Sequence, residues 1–336
     1  MSRLVLLDGN AILHRAYHAL PPMTNDQGEP TNAVYGFVAM LLRVIEDLKP
    51  THLAVAFDRP KPTFRKQLFK EYQAQRPEMD DALVSQVQKV HKVIKAMRIP
   101  IYEKDGYEAD DVLGTIVKQA CQDTKILRYK DTKNKQKENS PSPDISVSEY
   151  RNIQVVIVTG DRDLLQLVNE RVKLYMPVKG LSNSKIFGKK EAEERMGVRP
   201  EQIPDYKALA GDPSDNYPGV AGIGPKTAIA LLNKFNSVEN LYKHIEKVTN
   251  PGVREKLISD KEKALLSYKL ATVVVDVPLK FQISPTQLHD LLTREVIDVF
   301  GSLGFKTLLR RLSEMSKKTL ESKNPNIDSK KQMELF

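Results

Sequence analysis

Short apolar runs and helix-period segments alternate along the first half of the chain. Three aliphatic runs each precede an acidic residue: Arg3–Leu7 before Asp8, His52–Phe57 before Asp58, and Val155–Thr159 before Asp161. Runs of this length that end at a turn signal are typical of buried strands. Between them, apolar residues recur at helical spacing within 33–48, 83–97 and 112–120. Strands that alternate with helices predict an α/β fold with a mainly parallel sheet covered on both faces.

The rest of the chain departs from this alternation. Residues 122–152 hold a basic cluster and a Ser-Pro-Ser-Pro stretch, which predicts a polar insertion, with a short helix around 123–129 as the alternative. Several short helices are expected within 189–271, and a further helical piece within 285–315. From Ser316 onward the chain is polar and poor in large apolar residues, so we expect a disordered tail there.

Composition narrows the class of protein. The 336 residues are 40% hydrophobic, too apolar for a chain disordered throughout. No apolar stretch reaches the ~20 residues of a membrane span, no secretory pattern opens the sequence, and Cys121 is the sole cysteine. We therefore expect a soluble cytoplasmic protein without a membrane segment or a disulfide framework. The formal charge of +9 suits nucleic acid as a partner, or simply a solubilising surface.

Acidic residues gather at the predicted ends of strands and helices. Nine have this placement: Asp8, Asp58, Glu108, Asp110, Asp111, Asp161, Asp163, Asp212 and Asp215. Ligands of open parallel sheets bind at the carboxyl ends of the strands, where three of these residues fall. Taken singly, each acid has a simpler explanation as a helix N-cap or as a favourable charge in a first helical turn. Glu108 is expected in the turn that enters the helix carrying Asp110 and Asp111.

Nine converging carboxylates would need a compensating charge. Hard divalent cations suit oxygen ligands, and two Mg²⁺ ions ~4 Å apart can activate a water and stabilise the leaving oxygen in phosphodiester cleavage. The six histidines are scattered, and no Ser/His/Asp or Cys/His pattern competes. A phosphatase that starts from a strand-end Asp usually has a second Asp two residues on, where this chain has Asn10.

A basic segment follows Asp58 directly. Six basic residues and one acid fall within Arg59–Arg76, with Phe64, Phe69 and Tyr72 among them. Basic side chains neutralise phosphates and aromatic rings stack on unpaired bases, so the segment is predicted to bind nucleic acid beside the acidic pocket. A solvated helix face with its aromatics turned inward is the alternative.

A glycine-rich stretch, Gly219–Ala228, predicts a tight turn between two helices. The second helix is expected to begin near Pro225, because proline favours the first helical turn. Backbone N–H groups at such a helix start can bind a DNA phosphate without reading sequence. A helical hairpin with a purely structural role is the alternative.

Five stretches together carry a resemblance to a known family. They are LLDGNAILHRAYHALPPMTNDQGEPTNAVYGF, FDRPKPTFRKQLFKEYQAQRP, GYEADDVLGT, VTGDRDLLQLV and DYKALAGDPSDNYPGVAGIGPKTA. Over about 3–312 the chain resembles the 5′→3′ exonuclease domain of bacterial DNA polymerase I, within the flap-endonuclease superfamily. The resemblance implies a PIN-like nuclease domain in 1–176 with a helical arch at about 59–98. It also implies a helix-three-turn-helix DNA-binding region in 177–275, a segment packing on the core in 276–315, and a disordered tail in 316–336.

The same resemblance implies roles for individual residues. The nine carboxylates stand where the family has its acidic cluster, which binds two Mg²⁺ ions with Mn²⁺ as a substitute, and Arg76 joins them as catalytic. DNA contacts are implied for Arg15, Arg65, Lys66, Tyr72, Gln73, Arg76, Gly222, Ile223, Gly224, Lys226 and Thr227. Backbone carbonyls of the hairpin can also hold K⁺. The implied activity is removal of 5′ flaps and 5′ terminal nucleotides from branched, nicked or gapped DNA, including RNA-DNA primer ends, in nucleoid-associated replication and repair.

The sequence departs from the family pattern in three places. Gln73 stands where the family usually has Lys, the insertion at 122–152 has no obvious counterpart, and no polymerase follows Phe336, so a standalone nuclease is expected. The final Gln332–Phe336 resembles the short peptide by which bacterial proteins dock on the sliding clamp, with Gln332, Leu335 and Phe336 as anchors. A chance match is the alternative.

Two other functions stay open from the sequence. The chain could bind branched DNA without cleaving it, with the acids serving only structure. The second alternative function is that of a phosphatase, and Asn10 argues against it. Cleavage of a labelled 5′ flap with and without Mg²⁺ separates the first from a nuclease, and hydrolysis of a generic phosphomonoester tests the second.

Overall fold

A six-stranded sheet organises the molecule, whose computed structural model describes residues 2–134, 153–179 and 183–323. The strands, in chain order, are β1 (Arg3–Asp8), β2 (His52–Ala56), β3 (Ile101–Tyr102), β4 (Gln154–Val158), β5 (Val172–Lys179) and β6 (Asn183–Phe187). Their order across the sheet is β3-β2-β1-β4-β5-β6. All neighbours pair in parallel except β6, which lies antiparallel to β5 at one edge. The prediction of a mainly parallel sheet is confirmed.

The three predicted strands are β1, β2 and β4, which are buried along nearly their whole length. Strands buried on both faces read as continuous apolar runs, which is why the sequence reveals them. The sequence missed the other three for separate reasons. β3 has only two residues, β5 is interrupted by Lys173 and Pro177, and β6 is a mostly exposed edge strand.

In the first half of the chain the longest helices lie where apolar spacing predicts them, and in the second half there are more helices and most are short. They are α1 (Gly9–Ala19), α2 (Asn32–Leu48), α3 (Phe64–Leu68), α4 (Asp81–Ala96), α5 (Ala109–Asn134), α6 (Lys189–Met196), α7 (Ile203–Ala210), α8 (Pro225–Phe235), α9 (Val238–Lys243), α10 (Pro251–Ser259), α11 (Lys261–Ala271), α12 (Arg294–Ser302) and α13 (Lys306–Lys323). Helices α2, α4 and α5 are the three predicted from apolar spacing. None of the described helices is both long enough and apolar enough to traverse a bilayer.

Two predictions about irregular segments are changed by the structure. Helix α5 continues to Asn134, so the helical alternative around 123–129 is the observed one, and 135–152 lie outside the described residues. Helix α13 runs to Lys323, so the prediction that the tail is disordered from Ser316 is wrong for 316–323. No glycine or proline occurs between Ser316 and Lys323 to end the helix. The clamp-peptide residues Gln332, Leu335 and Phe336 lie outside the described part of the chain.

Two compact units make up the chain. The first comprises Met1–Ile12, Pro50–Met79 and Ile101–Gln287, and the second comprises Leu13–Lys49, Asp80–Pro100 and Leu288–Phe336. The first unit holds the whole sheet and a continuous apolar core that runs from β1 through α5 to α8. In the second unit, buried Gln86 on α4 accepts hydrogen bonds from the Ala33 and Val34 N–H groups in the first turn of α2, at 2.8 and 3.2 Å.

Strand order decides where a ligand can approach the sheet. The chain builds outward from β1 to β2 and β3 on one side, and through β4 to β5 on the other. Leu7 is in register with Val55 of β2 and with Val158 of β4, so the carboxyl ends of the three strands lie at one edge. Open parallel sheets bind ligands at such a switch point. This edge is where Asp8, Asp58 and Asp161 emerge.

Candidate functional site

A cleft of about 490 Å³ opens at the carboxyl edge of the sheet. Seven of the nine predicted acids line it: Asp8, Asp58, Glu108, Asp110, Asp161, Asp163 and Asp215. Basic residues of the segment after Asp58 line it as well: Arg59, Lys61, Arg65, Lys66 and Arg76. The other two acids are buried: Asp111 pairs with Arg65 of the cleft wall, and Asp212 lies within 4.8 Å of Asp163 and Asp215. The structure therefore brings the acidic and basic clusters of the sequence into one place.

Four of the cleft acids, Asp8, Asp58, Asp110 and Asp161, form no ion pair within the described residues. We call Asp8, Asp110 and Asp161, which repel one another, the open trio. Asp8 is oriented by hydrogen bonds that its carboxylate accepts from the Ala11 N–H at 3.0 Å and the Thr159 hydroxyl at 2.8 Å. Burial raises the pKa of Asp8 to about 7, and the charges of Asp58 and Asp161 add to the effect. Burial also raises the pKa of Asp110 well above its ordinary value, with repulsion from Asp161 and Asp8 contributing. Among the described residues, the open trio therefore has no basic side chain in direct contact.

Arg65 neutralises two further acids of the site, Asp111 and Glu108. Its guanidinium donates to both carboxylate oxygens of Asp111 at 2.7 and 2.8 Å and reaches Glu108 at 3.3 Å; we call these three residues the Arg65 clamp. It also donates to the carbonyls of Leu270 and Thr272 at 2.8 and 2.9 Å, so all five of its N–H donors are engaged. The predicted DNA contact of Arg65 is therefore corrected to an internal one, because a 3% exposed guanidinium with no spare donor presents nothing to a phosphate.

The Asp215 carboxylate binds three residues at the end of the basic segment. Its carboxylate accepts hydrogen bonds from the Tyr72 hydroxyl at 3.2 Å, from Gln73 at 3.1 Å, and from Arg76 at 2.7 Å. The Tyr72 ring is buried and stacks on Tyr217 at a centroid distance of 6.5 Å, so a predicted role in stacking on bases does not match its position here. Arg76 remains exposed at the cleft rim, as does Lys66, whose ammonium donates to the Tyr72 carbonyl at 2.8 Å.

Lys207 contacts acids of the site and was not predicted from the sequence. It lies on α7 with 7% exposure, and its ammonium contacts the carboxylates of both Asp163 and Asp212. Burial raises the pKa of Asp163 to about 7, repulsion from Asp161 adds to this effect, and the Lys207 ammonium opposes it. Burial would also raise the pKa of Asp212, but the Lys207 ammonium and hydrogen bonds from Ser214 bring it below its ordinary value. A lysine five residues before Asp212 carries no pattern in the sequence that marks this contact.

The glycine-rich hairpin is built as the sequence predicted. Gly219 and Gly222 adopt left-handed φ angles of 63° and 73°, and α8 begins at Pro225. The loop is fixed by hydrogen bonds from the Ala221 N–H to Asp260 at 2.8 Å and from the Gly219 N–H to Ser267 at 3.2 Å.

The predicted hairpin contacts differ in exposure. Gly222, Gly224 and Lys226 are exposed and Thr227 is half-buried, whereas the Ile223 side chain is buried and leaves only its backbone for a ligand. Among the remaining predicted contacts, Arg15 lies on α1 within the second unit and is half-buried.

The donor set of the cleft fits a hard divalent cation. Carboxylate oxygens of Asp163, Asp212 and Asp215 all lie within 4.8 Å of one another. Oxygen ligands at this spacing suit Mg²⁺ or Mn²⁺, and a divalent charge would offset the repulsion that raises the pKa values around it. A parallel sheet with a carboxylate cleft at its switch point and a basic rim is the arrangement of PIN-like nucleases.

Comparison with known proteins identifies the family. The family profile described as the 5′-3′ exonuclease N-terminal resolvase-like domain matches residues 3–131, and the 5′-3′ exonuclease C-terminal SAM fold matches 198–293. A 5′-3′ exonuclease of Aquifex aeolicus (strain VF5) is 34% identical over 315 residues, covering 94% of this chain and 96% of that protein. The chain belongs to the 5′-3′ exonuclease family.

Longer relatives match the same region of sequence, and two solved structures share its fold. DNA polymerase I of Bacillus subtilis (strain 168) is 40% identical over 314 residues, covering 94% of this chain, which spans about a third (32%) of that protein. T5 5′-exonuclease with bound zinc has the same fold, with a TM-score of 0.59 at 19% identity over 94% of this chain and 98% of the other. The catalytic core of Rad2 in complex with a DNA substrate matches with a TM-score of 0.55 at 14% identity, over 93% and 92%.

Proposed function

We propose that this chain is a divalent-metal-dependent 5′→3′ exonuclease and 5′-flap endonuclease that acts on branched, nicked or gapped DNA. One observation carries the proposal: seven acids from distant parts of the sequence line one cleft together with the basic segment. Polyanionic DNA needs a basic surface to approach such a cleft, and the rim supplies one. The zinc bound to T5 5′-exonuclease and the DNA bound to the Rad2 core support the assignment.

The cleft acids would hold two Mg²⁺ ions, with Mn²⁺ as a substitute. The open trio would bind one ion, and Asp163, Asp212 and Asp215 would bind the other, while Asp58 and Glu108 would act through water. Bound ions supply charge that lowers the pKa of water and stabilises the leaving oxygen of a phosphodiester. The protein prepares this chemistry itself, because Ala11 and Thr159 fix the Asp8 carboxylate before any ion arrives.

Exposed basic residues would position the phosphate backbone. Arg59 and Lys61 pair with half-exposed Asp105 at 2.7 Å each, and Arg76 pairs with Asp215. Exposed ion pairs are weak, so these side chains can turn from their carboxylate to a phosphate at small cost. Lys66, Tyr72 and Gln73 frame the same rim and would shape the path of the 5′ strand.

The hairpin would hold the duplex. Its exposed backbone at Gly222 and Gly224, with Lys226 and Thr227 at the start of α8, offers N–H groups and one cation to the phosphates of a strand. Such contacts fix the register of a duplex without reading sequence, which suits an enzyme that recognises structure. Backbone carbonyls of the same turn would accommodate K⁺.

A labelled 5′-flap duplex tests the proposal. The chain should release the flap in Mg²⁺ or Mn²⁺ and leave it intact in EDTA, and Asp163→Asn should abolish cleavage while a gel-shift assay shows retained DNA binding. The exposed acid variant Asp276→Asn removes the same charge elsewhere and should cleave normally. Binding without cleavage in any metal would instead establish a branched-DNA binder, and rapid hydrolysis of a generic phosphomonoester would indicate a phosphatase.

The proposed setting is replication and repair in the cytoplasm, close to the nucleoid, with RNA-DNA primer ends among the substrates. A primer whose 5′ segment is RNA should be released at a rate comparable to an all-DNA flap. Gln332–Phe336 would dock on the sliding clamp. Calorimetric titration of the full chain into a bacterial clamp should show binding that deletion of the five residues removes, and unchanged binding would eliminate this part of the proposal.

A further inference from the structure

The acids of the site form two groups that differ in their basic partners. Asp163, Asp212 and Asp215 have three carboxyl groups and contact two cations, Lys207 and Arg76. The open trio also has three carboxyl groups, but within the described chain no basic side chain forms an ion pair with it. The two groups therefore offer different electrostatic fields to an incoming cation, although their ligand chemistry is the same.

The ammonium of Lys207 is held where it competes with a metal. It touches Asp163 and Asp212, two of the three acids whose oxygens converge within 4.8 Å, and it is 7% exposed. Arg76, by contrast, is exposed and can leave Asp215 for solvent or a phosphate. A buried ion pair in a water-poor environment is screened far less than an exposed one.

We infer that Lys207 is a positioning residue that makes the two metal positions unequal. Divalent cations fill the open trio first, and they reach Asp163, Asp212 and Asp215 only in competition with the ammonium. Until then, Lys207 keeps the Asp163 and Asp212 carboxylates together. This inference rests on the proposed metal-dependent function and assigns an order of binding within the same cleft.

Isothermal titration of Mn²⁺ into the full chain without DNA tests the order directly. The unmodified chain should show two binding events whose Kd values differ at least tenfold. Lys207→Met, which keeps the length of the side chain but removes its charge, should tighten the weaker event at least tenfold and leave the tighter one within twofold. Lys207→Arg keeps the charge and should preserve two separate events.

Control variants keep the result interpretable. Lys269→Met removes an exposed positive charge from α11 and should not change either Kd. Lys207→Gln should act in the same direction as Lys207→Met, and it decides the question if the Met variant does not fold. An unchanged or weakened second event in both variants overturns the role of Lys207. A complete lack of Mn²⁺ binding by the unmodified chain overturns the proposed function, and the inference with it.

Discussion

The Arg65 clamp and the open trio place similar acids in opposite electrostatic situations. In the clamp, Asp111 is fully buried and receives both arms of a guanidinium. In the open trio, Asp8 and Asp110 receive no cation from the described protein, and burial raises their pKa values. Acids that are indistinguishable in sequence thus divide into those whose charge the fold neutralises and those whose charge awaits an external cation. The acids of the first group stabilise the walls of the cleft, and those of the second are available to bind a metal ion.

The largest expected effect comes from removing a charge in the open trio. Asp110→Asn should lower the flap-cleavage rate by about 10³-fold or more, since a catalytic metal contributes several kcal/mol and ~1.4 kcal/mol is tenfold in rate. The stability of the EDTA-treated protein should rise, because the substitution removes a buried, unpaired carboxylate that repels Asp161 and Asp8. Single-turnover cleavage and urea unfolding measure the two effects.

The matched control for this prediction is Asp276→Asn, which changes an exposed acid. It should alter neither the cleavage rate nor the urea midpoint. If Asp110→Asn lowered the urea midpoint as well as the cleavage rate, Asp110 would belong with the structural acids. The contrast between the open trio and the clamp would then disappear.

The clamp should show the opposite pattern. Arg65→Met leaves Asp111 buried without its partner, so the free energy of unfolding should fall by about 3–5 kcal/mol. Replacing both partners, as Arg65→Met with Asp111→Leu, should recover part of the loss, because no charge then remains buried. Urea unfolding in EDTA gives both values. A loss below about 1 kcal/mol for Arg65→Met would mean that solvent reaches Asp111 and that the clamp is not a closed unit.

The pH dependence of stability tests the raised pKa values of the cleft acids, one of which, Glu108, belongs to the clamp. The pKa values of Asp8, Glu108 and Asp163 are raised to about 7 in the folded, metal-free state, from ordinary values of about 4 in the unfolded state. Between these values the folded state binds more protons than the unfolded state, so stability falls as pH rises. The metal-free protein should therefore be more stable at pH 6 than at pH 8, by about 1–3 kcal/mol.

Divalent cations should remove this dependence. Metal ions bind deprotonated carboxylates, so saturating Mg²⁺ should stabilise the protein most at pH 8 and flatten or invert the trend. Thermal melts at both pH values with EDTA or Mg²⁺ provide the measurement. A metal-free protein that gained stability from pH 6 to pH 8 would show that the cleft acids do not carry the raised pKa values.

The positions of the central strands, and of the acids at their ends, were predictable from the sequence for a physical reason. Strands buried on both faces are continuous apolar runs, and turn residues such as Asp8 stand at their ends whatever the rest of the chain does. Three features could not be predicted this way: the contacts of Lys207, the internal pairing of Arg65 and the burial of the Tyr72 ring. Each depends on contacts between residues far apart in sequence, such as Arg65 with Thr272 or Tyr72 with Tyr217.

The smallest expected effect is at an acid that has basic partners but is only partly buried. Asp105 pairs with Arg59 and Lys61 at 2.7 Å each, yet all three side chains are well exposed. Solvent and salt screen such pairs, so Asp105→Asn should leave the urea midpoint unchanged within error. It should strengthen DNA binding slightly at low salt, because it frees two cations at the cleft rim. Gel-shift titrations at two salt concentrations, beside Asp276→Asn, measure this. A clear loss of stability would show that pairing alone, rather than pairing with burial, separates structural acids from the open trio.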